Sequence, residues 1–142
     1  MESHSCHDAS INRIKKNDME KVRVEQLLTQ ADSALELAAE EQMRPEEDIV
    51  TFSICHNSRI SIRMYLLSFL IKNSIEPDAN DSMTNLLKLC SEVDESFKNL
   101  NVTEFECAGS KANHNHEYCL SVNQVNGCFD AAKEIKKLVH SI

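Results

Sequence analysis

The chain has 142 residues, which is the size of one domain. Hydrophobic residues make up 42% of it and charged residues 27%, a composition that excludes general disorder. Only two Gly and two Pro are present, too few for the many tight turns of a β-sandwich or β-barrel, so the composition indicates helices. The formal net charge of −8 disfavours a partner held mainly by phosphate contacts, and we expect no DNA binding.

The N-terminal part of the chain divides into a polar segment and a long helix. We predict that residues 1–10 form a disordered segment and that residues 11–142 form one helical domain. From Asp18 to Gln42 the apolar residues recur at helical spacing, and Asp18 is suited to cap the start of this first helix.

Charge is distributed unevenly along this first helix and the turn after it. Eight carboxylates lie between Glu25 and Asp48, against the single base Arg44. The basic side chains of this part of the chain precede them: Arg13, Lys15, Lys16, Lys21 and Arg23.

The second and third helices have clear start signals. Proline fits the first turn of a helix and carboxylates favour its positive end, so Pro45 and the three acidic residues after it predict a second helix from Pro45 to about Asn73. After a polar loop, Asp81 or Ser82 begins a third helix that carries apolar residues as far as Leu100.

Residues 101–120 show little periodicity, and the last helix follows them. Ser121 and Gln124 form a capping box that predicts where this helix begins. Four helices without a convincing strand predict an all-α fold, an antiparallel up-and-down four-helix bundle. A short fifth helix in the loop before the last helix is the alternative.

No segment has the signature of a membrane or secretion signal. No apolar run approaches the roughly 20 residues that span a bilayer, and the N-terminus lacks the apolar core of a signal peptide. We therefore expect a cytoplasmic protein without membrane contact, in which the six Cys are reduced thiols.

Three side chains of the predicted second helix are the candidate ligand-binding residues. At about 100° per residue, His56, Arg59 and Arg63 fall inside the apolar arc that contains Phe52. Two guanidiniums on a core-facing stripe require a carboxylate, a second subunit or an anionic ligand. A structural salt bridge and a dimer seam therefore remain open beside a ligand site. The opposite side of the helix is predicted to carry its polar residues, among them Ser58, Ser61 and Ser68.

The segment before the last helix contains two weaker groups of candidates. Cys107, His114, His116 and Cys119 are possible zinc ligands, but no Cys-x-x-Cys pair occurs among them, so we predict no metal and no cofactor. Lys111 and His116 offer the cation and the base that RNA cleavage without a metal needs.

With these helices placed, residues 18–142 resemble a HEPN domain, a family of small all-α bundles found in prokaryotes beside nucleotidyltransferases. The order and spacing of the motifs carry the resemblance. After a long first helix these motifs are Phe52-Ser-Ile-Cys-His-Asn-Ser-Arg59, Tyr65-Leu-Leu-Ser-Phe-Leu-Ile-Lys-Asn73, Leu86-Leu-Lys-Leu-Cys90, Glu117-Tyr-Cys-Leu-Ser-Val122 and Ala131-Ala-Lys-Glu-Ile135.

The resemblance implies a homodimer formed through helix faces and a minimal nucleotidyltransferase as the partner in a toxin–antitoxin pair. It also implies, for catalytic members, a metal-independent ribonuclease motif of Arg followed by His near the start of the last helix. This chain has no Arg after Arg63, and Lys111 stands before His116 where the motif has Arg. We therefore expect a non-catalytic interaction or nucleotide-binding module, with a degenerate ribonuclease that takes an RNA ligand as the alternative.

Overall fold

The structure, a computed structural model, describes the backbone of residues 2–78, 80–100 and 122–141, and side chains within 18–45, 47–78, 80–100 and 126–141. These ranges hold no strand, so the predicted all-α class is confirmed. They contain four α-helices: α1 (Glu2–Gln42), α2 (Thr51–Lys72), α3 (Met83–Val93) and α4 (Val122–Ser141). The fifth helix that we gave as an alternative falls outside the described residues.

The first helix is longer than the sequence predicts. α1 spans 41 residues, about 60 Å at 1.5 Å per residue, and ends at Gln42 as expected. The predicted cap at Asp18 is wrong, because the helical backbone begins at Glu2 and runs through this residue. Its length is consistent with the absence of Gly and Pro before Pro45. The division of the chain into residues 1–10 and 11–142 stays a prediction.

The turn between α1 and α2 is held by a buried carboxylate. Pro45 begins only a short 3-10 helix (Glu46–Asp48), and α2 starts at Thr51, so the predicted start at Pro45 is wrong. The reason lies in Glu41, which accepts a hydrogen bond from the backbone N–H of Val50 at 2.9 Å and binds Arg44 Nε at 3.1 Å. These contacts hold Val50 in an extended conformation just before the helix.

The third helix begins where predicted and ends early. Ser82 caps it by accepting a hydrogen bond from the N–H of Asn85 at 3.1 Å. The helix stops at Val93 and not near Leu100, because Asp94 is extended and its carboxylate accepts the N–H of Ser96 at 2.8 Å. This hydrogen bond lowers the pKa of Asp94. A 3-10 helix (Glu95–Asn99) follows.

The core forms around α2, which packs against α1, α3 and α4, most extensively against α1. On the α1 side the core includes small residues such as Ala31, which is fully buried, beside Leu35. The hydroxyl of Ser61 donates to the backbone carbonyl of Ala31 at 2.9 Å. The predicted apolar arc of α2 is therefore wrong in its orientation: the buried side carries Ser58, Ser61 and Ser68. Serine is small enough to let two helices approach closely, and backbone carbonyls accept hydrogen bonds from the hydroxyls of Ser61 and Ser68.

None of the helices in the described ranges is both long enough and apolar enough to cross a membrane.

Candidate functional site

The predicted ligand-binding residues of α2 lie at the edge of the helix packing and not in the core. His56 is exposed, and its ring stacks on that of Phe52, itself 47% exposed, with a centroid distance of 5.8 Å and an angle of 12°. The expectation that His56 lies in the apolar arc is therefore wrong. The rotation of α2 that buries its serines turns this side chain outward.

The two arginines of the predicted group are half-buried. Arg63 Nη1 donates to the backbone carbonyl of Asp81 at 2.7 Å, which ties α2 to the loop before α3. This bond gives Arg63 a structural role. The ligand-binding role of His56, Arg59 and Arg63 together stays a prediction.

The other predicted candidates, Lys111, His116, Cys107, His114 and Cys119, lie outside the described residues. Among the side chains that the structure does describe, no group of three or more His, Cys, Asp or Glu is arranged to hold a metal ion.

A cleft of about 480 Å³ lies between α1 and α4. The apolar part of its lining consists of Leu35, Ala39 and Phe129. Its polar lining carries three lysines and a histidine from α4 and two carboxylates from α1: Lys133, Lys136, Lys137, His140, Asp32 and Glu36. The volume of this cleft falls within the range of sites for small organic ligands.

Asp32 connects three helices at this cleft. Its Oδ1 accepts a hydrogen bond from the hydroxyl of Tyr65 on α2. Two groups of α4 approach the same oxygen, Lys136 Nζ at 3.5 Å and His140 Nε2 at 4.0 Å. The ring of His140 also meets that of Tyr65 edge to face, with centroids 6.2 Å apart. One carboxylate of α1 thus lies beside Lys136 and His140 of α4 and in contact with Tyr65 of α2.

Tyr65 is a proton donor in this arrangement. The residue is fully buried. Burial raises the pKa of its phenol, and the hydrogen bond to Asp32 and the negative charge of Asp32 raise it further. The phenol therefore keeps its proton at every physiological pH, and it donates a hydrogen bond to the carboxylate of Asp32.

The positive charges of the three lysines in the cleft are not equally neutralised by neighbouring carboxylates. Lys133 Nζ lies 4.9 Å from the centroid of the Phe129 ring and 3.5 Å from Asp130 Oδ1, and Lys136 lies beside Asp32. Lys137 is exposed and forms no ion pair with any side chain in the described part of the chain. Asp130 and Asp32 thus balance two of the three lysines, and Lys137 is the lysine of this cleft without an ion pair among the described side chains.

Sequence reasoning missed this cleft, although one signal for it was available. Lys133, Lys136, Lys137 and His140 follow the i, i+3, i+4, i+7 spacing of one helix face. Such a face is usually a solvated surface. The position of Asp32 opposite this face is what marks it as a candidate site.

The comparisons with known proteins add no family: no protein-family model matches the chain, and no curated protein or solved structure is significantly similar to it. The HEPN resemblance rests on the motifs quoted above alone.

Proposed function

We propose that this chain is a non-catalytic helical module that binds a nucleotide in the cleft between α1 and α4. We also propose that its helices form an antiparallel up-and-down bundle of the HEPN type. The observation that carries the ligand proposal is the pairing of an uncompensated cation, Lys137, with the apolar surface of Leu35, Ala39 and Phe129 in one cleft.

The chemistry of the cleft selects the class of ligand. A phosphate is attracted by Lys137, and the apolar lining formed by Leu35, Ala39 and Phe129 suits a flat base. Asp32 and Glu36 repel an anion, which limits the negative charge that the cleft accepts. A nucleoside monophosphate meets these conditions better than a long polyanion.

A binding role is favoured over catalysis by the groups that line the cleft. The described lining contains no Ser, Thr or Cys nucleophile. The one hydroxyl near it, that of Tyr65, donates to Asp32, and its raised pKa prevents it from acting as a base.

Isothermal titration calorimetry with AMP and ATP tests the proposal. We expect heat of binding from the wild type and an affinity about 5- to 10-fold lower for Lys137→Ala, since one charge-assisted contact is lost. Lys88→Ala on α3 is the matched control, because it removes another exposed lysine outside the cleft.

The same titration separates this cleft from the site predicted on α2. Loss of binding in Arg59→Ala with none in Lys137→Ala assigns the ligand to the α2 group and contradicts the cleft. Absence of heat at millimolar nucleotide contradicts both sites.

The remaining functions implied by the HEPN resemblance are parts of the same proposal: a homodimer and a nucleotidyltransferase partner in a toxin–antitoxin pair. Ribonuclease activity through Lys111 and His116 is the alternative. Incubation with total RNA without added metal tests it, and we expect the wild type and His116→Ala to leave the RNA equally intact.

A further inference from the structure

The cleft between α1 and α4 contains one carboxylate that the fold does not use. Asp32 and Glu36 both line this cleft from α1. Asp32 accepts a hydrogen bond from the hydroxyl of Tyr65 and lies beside Lys136, so contacts within the protein already engage it. Glu36 is exposed and forms no ion pair with any side chain that the structure describes. Glu36 is therefore the carboxylate of the cleft that is left to contact a ligand.

This carboxylate and the lysine without an ion pair belong to different walls of the cleft. Glu36 lies on α1 and Lys137 on α4. The neighbours of Glu36 in the α1 wall include Leu35 and Ala39, which are apolar. A ligand whose anionic end lies at Lys137 therefore presents its other end to the α1 wall. That wall offers apolar surface and a hydrogen-bond acceptor together.

The carboxylate of Glu36 limits what the ligand can present to it. A carboxylate accepts hydrogen bonds and does not donate them. Its two oxygens can accept two parallel N–H groups at once, which is the strongest arrangement. An acceptor atom of the ligand is repelled at the same place, because its partial negative charge meets that of the carboxylate. A ligand edge with two adjacent donors thus fits Glu36 best.

Among the common nucleotide bases, guanine presents such an edge. Its N1–H and its 2-amino group are neighbouring donors on the Watson–Crick edge. In adenine and cytosine the amino group adjoins a ring nitrogen that is an acceptor, and in uracil the N–H lies between two carbonyl oxygens. A carboxylate that meets one of these three edges is repelled by the acceptor beside the donor. Guanine avoids this repulsion.

We propose that the cleft between α1 and α4 is selective for guanine nucleotides, with Glu36 accepting the N1–H and the 2-amino group of the base and Lys137 attracting the phosphate. The inference rests on the nucleotide binding of the proposed function and adds the identity of the base. The two can fail separately, because a cleft that binds AMP and GMP equally keeps the proposed function and loses the selectivity.

Isothermal titration calorimetry of the full chain with GMP, IMP and AMP measures the selectivity. IMP keeps the N1–H of GMP and lacks its 2-amino group, and AMP lacks the pair of adjacent donors. We expect the wild type to bind GMP about 10-fold more tightly than AMP, because a bidentate contact with a base edge gives discrimination of this order. The affinity for IMP is expected to lie between the two.

Glu36→Gln tests the residue that provides the selectivity. An amide oxygen accepts while the amide nitrogen donates, so this side chain cannot accept both N–H groups of guanine. We expect the affinities for GMP and AMP to become equal, with unchanged helical content. Glu40→Gln is the matched control, because it removes the same charge from an exposed position of α1 outside the lining of the cleft. We expect this control to keep the preference for GMP.

Lys137→Ala separates attraction of the phosphate from recognition of the base. We expect it to weaken GMP and AMP by the same factor and to keep their ratio. Equal binding of GMP and AMP by the wild type, a preference for GMP retained in Glu36→Gln, or a preference lost in Glu40→Gln would each overturn the selectivity and leave nucleotide binding in place. Absence of heat with all three nucleotides would overturn the nucleotide proposal and the selectivity with it.

Discussion

At the scale of single residues, Asp32 and Tyr65 form the contact on which the site depends. This carboxylate accepts a hydrogen bond from a buried hydroxyl of α2 and faces a lysine and a histidine of α4, so one oxygen atom contacts three helices. The exposed side of this carboxylate is where the lysines meet solvent. Asp32 and Tyr65 therefore contribute both to the stability of the fold and to the geometry of the proposed ligand cleft. We expect a substitution of either residue to change both properties.

Replacing Tyr65 with Phe measures this contact. We expect Tyr65→Phe to lower the free energy of unfolding by about 1–2 kcal/mol at pH 7, because a buried hydrogen bond to a charged group is lost. Urea unfolding followed by helical circular dichroism measures it, and an unchanged midpoint would contradict the contact. Asp32→Asn keeps an acceptor for the hydroxyl and is expected to cost less.

The stabilisation that Tyr65→Phe removes depends on pH. Since the pKa of Tyr65 is raised in the folded state, the stabilisation is fully present below the pKa of an unfolded tyrosine, about 10, and is lost as the pH rises above it. The difference in stability between wild type and Tyr65→Phe should therefore shrink between pH 9 and pH 11. A difference that grows over this range would contradict the raised pKa.

At the scale of the elements, α2 is where the sequence misleads. Spacing, composition and capping residues were enough to predict that four helices exist, where α1 and α2 end at their C-termini, and that Ser82 caps α3. The rotation of α2 could not, because hydropathy counts serine as a surface residue. Here Ser61 is buried, since a carbonyl of α1 accepts its hydroxyl. This rotation turns His56 outward and leaves Arg59 and Arg63 half-buried, and their ligand-binding role stays a prediction.

Two serines of α2 provide a matched test of this packing. We expect Ser61→Ala to lower the free energy of unfolding by about 1 kcal/mol, because Ser61 donates to the carbonyl of Ala31. Ser58 is equally buried, and its Oγ has no hydrogen-bond partner among the described residues, so Ser58→Ala should be neutral or stabilising. Equal losses in the two variants, measured by urea unfolding, would contradict the assigned hydrogen bond.

At the scale of the whole molecule, the proposed ligand cleft depends on how two distant helices pack. α1 lines it with Asp32, Leu35 and Ala39, and α4 supplies its lysines. The sequence alone could not reveal this cleft, because it exists only when α4 lies against α1.

The most direct test of the account is nuclear magnetic resonance of the labelled full chain during titration with AMP. We expect the amide signals at the cleft, including those of Phe129, Lys137 and His140, to shift in a saturable way and those of His56 and Arg59 to stay in place. Saturable shifts confined to α2, or no shift at millimolar AMP, would contradict the proposed cleft.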